Sequence, residues 1–177
     1  PGTVKFIFQP AEEGAPKGEE GGAKLMIAEG VLKNPDVDAV MGLHISQGGE
    51  VGTASYRSLG FMASAQRFDV QIQGKQTHGA RPWAGVDPIV IGAQIINSLQ
   101  TIVSRQIDIT QHPAVVTVGS FTAGVRNNIV PETATLSGTI RTFDAGVRSS
   151  IHKKIRAIAE QTATGMGAVA TVEIDPG

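Results

Sequence analysis

Two short runs near the start of the chain, residues 3–8 and residues 38–44, consist mostly of apolar residues. Continuous apolar runs of this length are typical of strands buried on both faces of a parallel sheet. Between them, residues 19–29 predict a short helix that ends at Gly30. The order strand, helix, strand predicts a right-handed parallel unit. A further short strand is predicted over residues 51–54.

From about residue 55 the pattern changes to alternation, which predicts a second domain. Residues 67–73 alternate strictly, with Phe68, Val70 and Ile72 on the buried face of a strand. Two helices begin after aspartate caps, and three more strands complete the domain: the caps are Asp87 and Asp144, and the strands cover residues 114–121, 133–143 and 168–174. The order β-α-β-β-α-β predicts a four-stranded antiparallel sheet with two helices on one face, a ferredoxin-like α+β domain.

Each helix of this second domain is expected to bury one apolar stripe against the sheet. The stripe of the first helix is assigned to Ile89, Ala93, Ile96, Leu99 and Val103, and that of the second to Val147, Ile151, Ile155 and Ile158. Because both helices cover one face, the other sheet face stays polar, with Thr135, Thr139 and Arg141 on it.

Composition narrows the classes of function. The chain has 177 residues and a net charge of -1, which gives no electrostatic footprint for nucleic acid or an anionic membrane. No apolar run is long enough to cross a bilayer. With no cysteine, disulfides and thiolate ligands are excluded, so any metal must be held by histidine and carboxylate. A cysteine-free chain fits a reducing compartment, and a cytoplasmic location is expected.

Candidate chemistry lies where the two first strands are predicted to end. Glu12 and Glu13 follow the first strand after Pro10, and His44 ends the second. The carboxyl ends of parallel strands meet at one sheet edge, where α/β proteins collect their ligands, so these three side chains are expected close together. The alternatives are a solvated acidic loop and a core histidine bonded to a neighbouring carbonyl.

Six motifs occur in order along the chain: Phe8-Gln9-Pro10-Ala11-Glu12-Glu13-Gly14, Gly21-Gly22-Ala23, Gly42-Leu43-His44, Gly74-Lys75-Gln76-Thr77-His78-Gly79-Ala80-Arg81-Pro82, Asn128-Ile129-Val130-Pro131 and Gly138-Thr139-Ile140-Arg141. Together they resemble the aminoacylase/carboxypeptidase superfamily of di-metal amidohydrolases. The most similar subgroup contains hippurate hydrolases, N-acyl-amino-acid amidohydrolases and auxin-conjugate hydrolases. The resemblance covers the chain essentially from end to end.

For the first domain, the resemblance implies that residues 1–54 are part of a metal-binding catalytic α/β domain. Glu12 would be the general base, and Glu13 and His44 would be metal ligands. The family uses two divalent metals per site, here Zn, Mn or Co, and its substrates are small N-acyl amino acids. Carboxylate and imidazole are ligands that such metals prefer, and a metal-activated water can attack an amide.

For the second domain, the resemblance implies that residues 55–174 form an inserted lid that joins two copies into a homodimer. His78 and Asn128 would hold the scissile carbonyl, with His78 reaching into the partner's site, and Arg141 would grip the substrate carboxylate. Each residue also has a structural alternative. His78 can be a surface histidine, Asn128 can stabilise the turn while Asn127 takes its role, and Arg141 can be a surface charge.

Two departures from the family pattern matter. The upstream His-Asp/Cys-Gly-His ligand motif is expected before Pro1, and the last ligand, a histidine, after Gly177. We therefore expect this chain by itself to bind metal weakly or not at all, and to be inactive; the alternative function is a non-catalytic dimerisation or ligand-binding module. In addition, Arg81 and Trp83 stand in the His78 loop, where the subgroup more often has other residues.

Overall fold

A computed structural model of the chain describes residues 2–16, 18–45 and 47–175. The chain divides into two compact units, Pro1–Ala54 and Ser55–Gly177. The described helices include none that is both long and apolar enough to cross a membrane.

In the first unit, helix α1 (Gly22–Ala28) is the one regular element among residues 2–16, 18–45 and 47–54. The strands predicted over residues 3–8, 38–44 and 51–54 are not formed there, so this part of the fold prediction is wrong for the described chain. Strands of a parallel sheet need cover on both faces. The seven-residue α1 buries none of its residues, and Phe6 and Phe8 stay 80% and 86% exposed.

The described part of the second unit, residues 55–175, contains six strands and two long helices. In chain order they are β1 (Gln66–Gln73), β2 (Thr77–His78), α2 (Pro88–Gln106), β3 (Ala114–Ala123), β4 (Ile129–Val130), β5 (Thr133–Thr142), α3 (Ala145–Gly165) and β6 (Val169–Ile174). The main sheet is antiparallel with the order β3-β5-β1-β6, and β2 and β4 form a separate small sheet. The predicted strands, helices and antiparallel sheet of this unit are confirmed, with boundaries shifted by one or two residues.

One continuous core lies between the main sheet and both helices. Phe68, Val70 and Ile72 of β1 are fully buried, as their alternation predicts, and so are Leu136 and Ile140 of β5. The core also takes up Ile151 and Ile155 of α3 and four residues of α2, namely Ile91, Ile95, Leu99 and Ile102. Since α2 and α3 share this core with the same strand face, both helices cover one side of the sheet.

The predicted inner stripe of α2 is confirmed at Leu99, with Ile96 and Val103 partly buried against the core, but it is wrong at Ile89 and Ala93. Ile91 and Ile95 are buried, whereas Ile89 is 38% exposed and Ala93 is exposed. Apolar residues occur on two adjoining faces of this helix, so periodicity alone does not decide which face is buried. The choice is made by Gly92, because a Cβ there would lie 2.7 Å from the ring of Phe121. The helix α2 therefore packs closely against the sheet through the face that carries Gly92.

Both long helices begin at the predicted aspartate caps. The Asp87 carboxylate accepts a hydrogen bond from the Ile89 amide at 2.8 Å, and Asp144 accepts one from Val147 at 2.7 Å. These bonds satisfy amides that have no partner within the helix. The bond from the Val147 amide lowers the pKa of Asp144, which keeps the cap ionised.

His152 on α3 is hydrogen-bonded within the domain, a contact that the sequence does not predict. Its Nε2 lies 2.9 Å from Oε1 of Gln66, whose side chain is 3% exposed and donates through Nε2 to the Asp175 carbonyl at 2.8 Å. A carbonyl oxygen only accepts, so His152 donates from Nε2. Burial lowers the pKa of His152, and the charges of Arg148 and Arg156 lower it further.

The chain should therefore lose stability on acidification through this histidine. The unfolded chain binds the proton at the ordinary pKa of 6.5, above that of the folded chain. Stability is fully present above that pH and is lost as the pH falls through 6.5 toward the folded pKa. His152→Gln should flatten this part of a plot of Tm against pH. An unchanged slope in the variant would assign the acid sensitivity to other groups.

Candidate functional site

The His78 and Asn128 loops meet at one end of the main sheet. In the small sheet Thr77 pairs with Val130 and His78 with Ile129, and the Gly79 amide donates to the Asn128 carbonyl at 2.8 Å. A Cβ at Gly79 would lie 3.1 Å from the Asn128 carbonyl group, so a glycine keeps the loops this close. These two predicted residues, fifty positions apart, thus stand side by side.

Hydrogen bonding fixes the tautomer of His78. Its Nδ1 accepts the Ala80 amide at 3.0 Å, so in the neutral ring the proton is on Nε2. The His78 side chain is exposed, as is that of Asn128. His78 therefore offers an N–H donor, and Asn128 an amide, at one exposed edge. Donors presented in this way suit a carbonyl oxygen or a developing oxyanion.

The rest of the His78 loop is held at its base. Lys75 and Val86 form an isolated antiparallel bridge, and each amide donates to the other carbonyl, at 2.9 and 3.0 Å. A short 3-10 helix over Pro82–Ala84 then presents Trp83, which is 80% exposed. The sequence marks Trp83 as a departure from the family pattern but assigns it no role. In the structure its exposed indole is a contact surface on the His78 loop.

Arg141 lies at the opposite end of the main sheet. It is exposed, pairs with Val115 across the strands, and lines a shallow apolar groove with Val115 and Phe143. The His78 loops leave the sheet near Thr133, eight residues from Arg141 along β5. At about 3.3 Å per residue that is about 26 Å. The second unit therefore brings His78 and Asn128 together but keeps Arg141 away from them.

In the first unit, Glu12 and Glu13 lie on a turn over residues 10–13, where both side chains are exposed. The Gly14 amide donates to the Ala11 carbonyl at 3.1 Å, and the Gly22 amide donates to the Pro10 carbonyl at 2.9 Å. A Cβ at Gly21 would lie 2.8 Å from that of Ala11, so this glycine lets the segment before α1 pack against the acidic turn. The turn thus presents two adjacent carboxylates on a backbone held at both ends.

His44 has the opposite tautomer to His78. Its Nδ1 lies 2.6 Å from the Ile45 carbonyl, which can only accept, so Nδ1 carries the proton and Nε2 keeps a free lone pair. An imidazole held through Nδ1–H in this way is suited to bind a metal through Nε2. The exposed ring therefore has the chemistry of a metal ligand.

A complete metal site is not formed by this chain's described part. Across residues 2–16, 18–45 and 47–175, no group of three or more His, Cys, Asp or Glu side chains is arranged to hold a metal ion. Glu13 and His44 are donors of suitable types, but a stable zinc site needs at least three protein ligands. The two residues do not fit the group without further ligands.

One polar cluster on the open sheet face was not predicted. Arg67 donates two bonds to the Asp69 carboxylate, both at 2.8 Å, and the Ser137 hydroxyl donates to the same group. The bond from Arg67 lowers the pKa of Asp69. Alternation places Arg67 and Asp69 on the open face, but only the register of β1 with β5 brings Ser137 opposite Asp69.

Known proteins are similar to this chain over most of its length. Residues 63–166 match the peptidase dimerisation domain. The chain is 39% identical over 172 residues to an N-acetyl-L-cysteine deacetylase of Bacillus subtilis, with 97% of this chain and 39% of that protein covered. It is also 39% identical to thermostable carboxypeptidase 2 of Saccharolobus solfataricus, with 97% and 42% covered.

A solved structure extends the likeness to the fold. A Bacillus subtilis protein described as a dinuclear metal binding peptidase from the M20 family superposes with a TM-score of 0.68 at 34% identity, covering 97% of this chain and 40% of that one. The chain thus spans about two fifths of the length of the relatives it matches.

Proposed function

The chain belongs to the M20 peptidase family, whose dimerisation domain it carries over residues 63–166, and from this we propose that the whole protein is a metal-dependent amidohydrolase. Its substrates are N-acyl amino acids or similar small amides with a free carboxylate. A deacetylase of an N-acetyl amino acid and a carboxypeptidase among the relatives support this class of substrate. We assign the second unit to the ferredoxin-like class, and the protein to the cytoplasm.

The observation that carries the proposal is the contrast between the two histidines. His44 holds its proton on Nδ1 and leaves Nε2 free to bind a metal, whereas His78 holds its proton on Nε2, from which it can donate to an oxyanion. A structural histidine in a solvated loop has no requirement for either tautomer. Both rings are exposed, so each free nitrogen is available to a ligand or substrate.

Each remaining residue then has a defined role. Glu13 and His44, together with further ligands, would hold divalent metals, which would supply Lewis acidity and lower the pKa of a bound water. Glu12 takes the proton of the attacking water and passes it to the leaving amine. His78 Nε2–H and the Asn128 amide donate to the oxygen of the scissile carbonyl. Arg141 binds the substrate carboxylate through its planar fork.

We further propose that two copies complete one site. A small N-acyl amino acid cannot span the about 26 Å that separates Arg141 from the His78 end of β5 in one chain. In a homodimer, Arg141 of one chain and His78 with Asn128 of the other can act on one substrate. A dimerisation domain over this segment supports that assembly. For this chain by itself, with no three-ligand group among its described residues, we propose self-association without catalysis.

The test is hydrolysis of a panel of N-acyl amino acids by the complete protein. We expect turnover that a chelator abolishes and that added Zn, Mn or Co restores. N-acyl amino acid amides, which lack the carboxylate, should be cleaved at least about tenfold more slowly. Turnover insensitive to chelation, or none with any metal from a folded protein, would contradict the proposal.

A further inference from the structure

Arg141 lines an apolar groove in the second unit, which we call the Arg141 groove. The groove has a volume of about 330 Å³, and Arg141 is the one charged residue among the eight described residues that line it. The apolar walls include Val103 of α2, Ile109 of the loop between α2 and β3, Val115 of β3 and Phe143, which follows β5. Because separate elements supply these walls, the groove is a product of the folded domain rather than of one loop.

The backbone around the Arg141 groove is held in place before any ligand binds. The Ser64 amide donates to the Thr142 carbonyl at 2.9 Å, which fixes the segment before β1 to the end of β5. Gly60 packs against the ring of Phe143, since a Cβ at this glycine would lie 2.5 Å from that ring. A preformed groove loses little conformational freedom on binding, so its contacts contribute more fully to affinity.

Both the charge and the apolar walls of the groove are available to a ligand. Across residues 2–16, 18–45 and 47–175, the Arg141 guanidinium has no ion pair and no hydrogen bond. Ile109, Val115 and Phe143 are 54%, 49% and 46% exposed, although all three are apolar. A guanidinium binds a carboxylate through two parallel hydrogen bonds, and apolar walls favour an apolar group. The complementary ligand is therefore a carboxylate that carries an apolar substituent.

Two carboxylates flank the groove. Asp108 and Asp144 each adjoin a lining residue in the sequence. A hydrogen bond from the Thr110 hydroxyl lowers the pKa of Asp108, as the bond from the Val147 amide does for Asp144. The charge of His112 lowers the pKa of both carboxyls further. Both groups are therefore ionised at neutral pH, and they would repel a second anionic group on the ligand.

We propose that the Arg141 groove receives the side chain of the amino acid that the enzyme releases, and that it selects N-acyl derivatives of neutral, apolar amino acids; this inference rests on the amidohydrolase function and on the role of Arg141 proposed above. The α-carboxylate and the side chain of an amino acid are attached to the same carbon atom. A carboxylate bound by Arg141 therefore brings the side chain to the neighbouring wall, where Val115 faces Arg141 across the strands at about 5 Å. The volume of about 330 Å³ suits one amino acid better than a peptide.

Kinetics of the complete protein on a series of N-acetyl-L-amino acids test this inference. We expect kcat/KM for N-acetyl-L-leucine to exceed that for N-acetylglycine by about 10- to 100-fold, because an apolar pocket discriminates by about tenfold or more for each methylene group. N-acetyl-L-aspartate should be cleaved at least about tenfold more slowly than N-acetyl-L-asparagine, which has nearly the same size but no side-chain charge.

Two variants assign the preference to the groove. Val115→Trp fills the groove, and Ile109→Ser removes an apolar wall from a loop position. Each should lower the ratio of kcat/KM for N-acetyl-L-leucine to that for N-acetylglycine by at least about fivefold. Val169→Trp, the same change at an exposed position of β6, should leave this ratio within about twofold. Because the ratio compares two substrates on one enzyme, a partial loss of folded or active protein cancels.

The outcomes separate this inference from the function it rests on. No turnover of any N-acyl amino acid by the folded, metal-loaded protein overturns both. Turnover without a preference for leucine over glycine overturns the inference and leaves the amidohydrolase function standing, as does a preference that both groove variants retain in full. If Val115→Trp is inactive, the ratio in Ile109→Ser decides. A monomeric Val115→Trp variant in sedimentation, with an unchanged ratio in Ile109→Ser, would show that a second copy fills the groove instead.

Discussion

Glu12→Gln in the complete protein should reduce kcat for N-acyl amino acids by roughly 1,000-fold while leaving KM within a few-fold. Glutamine keeps the size and hydrogen-bonding oxygen of glutamate but cannot take a proton, and a positioned general base is worth about 10² to 10⁴ in rate. Glu12 lies on a solvent-exposed turn, so the substitution removes no packing. Steady-state kinetics with saturating metal measures the effect.

Two companion variants make the experiment specific to the base. Glu20→Gln, the same change at another exposed position of the first unit, should leave kcat within about threefold. Glu13→Gln should lower the bound metal content, measured by elemental analysis, whereas Glu12→Gln should retain it, because a ligand and a base have different tasks. A Glu12→Gln enzyme within tenfold of wild type would exclude Glu12 as the base. Metal loss in that variant would make it a ligand instead.

The second unit was predictable because its own residues supply everything that its fold needs. Phe68, Val70 and Ile72 alternate because their strand has one buried face, and Asp87 and Asp144 mark helix starts through hydrogen bonds within a few residues. Such local signals agree with the final packing. The four-stranded antiparallel sheet followed from the sequence of elements, since a β-α-β-β-α-β chain has few unstrained ways to close one sheet.

Other features depended on contacts that sequence patterns do not specify. The inner face of α2 was set by the fit of Gly92 against Phe121, a residue on another element. The hydrogen bond of His152 is a second case, because its partner Gln66 lies 86 residues away along the chain. The tautomers of His44 and His78 likewise follow from backbone groups next to each ring, which only coordinates reveal.

In the first unit, too, the sequence pattern does not specify the packing partners of the predicted strands. Its apolar runs, residues 3–8 and 38–44, carry the pattern of buried strands, yet Met41 and Leu43 are 92% and 94% exposed. A parallel strand is stabilised by neighbours on both edges and by helices on both faces. Relatives more than twice as long contain sequence that this chain does not cover. The apolar pattern is therefore that of a buried strand, but such a strand forms only where further chain packs against both of its faces.

Gly138→Ala should lower the Tm of the second unit by about 10 °C, the largest stability effect that we expect from adding one methyl group. Gly138 pairs directly with Phe68 across β1 and β5, and the buried phenyl ring lies over the glycine. A Cβ at this position would lie 2.3 Å from that ring and 2.4 Å from the Thr117 carbonyl oxygen. Neither can move freely, since the ring is enclosed by the core and the carbonyl belongs to a strand. Overpacking of this kind costs up to about 3 kcal/mol, which corresponds to that change in Tm.

Gly119→Ala is the matched control, because a Cβ there meets only the Ser137 carbonyl at an ordinary 3.8 Å. It should change the free energy of unfolding by less than about 1 kcal/mol, since alanine loses less backbone entropy than glycine. Thermal and urea unfolding of both variants, followed by circular dichroism, measures the difference. Equal stability of the two variants would show that the sheet relaxes around Gly138. A selective loss would explain why glycine opens the Gly138–Arg141 motif: the strand that carries Arg141 must pass beneath Phe68 with no side chain between them.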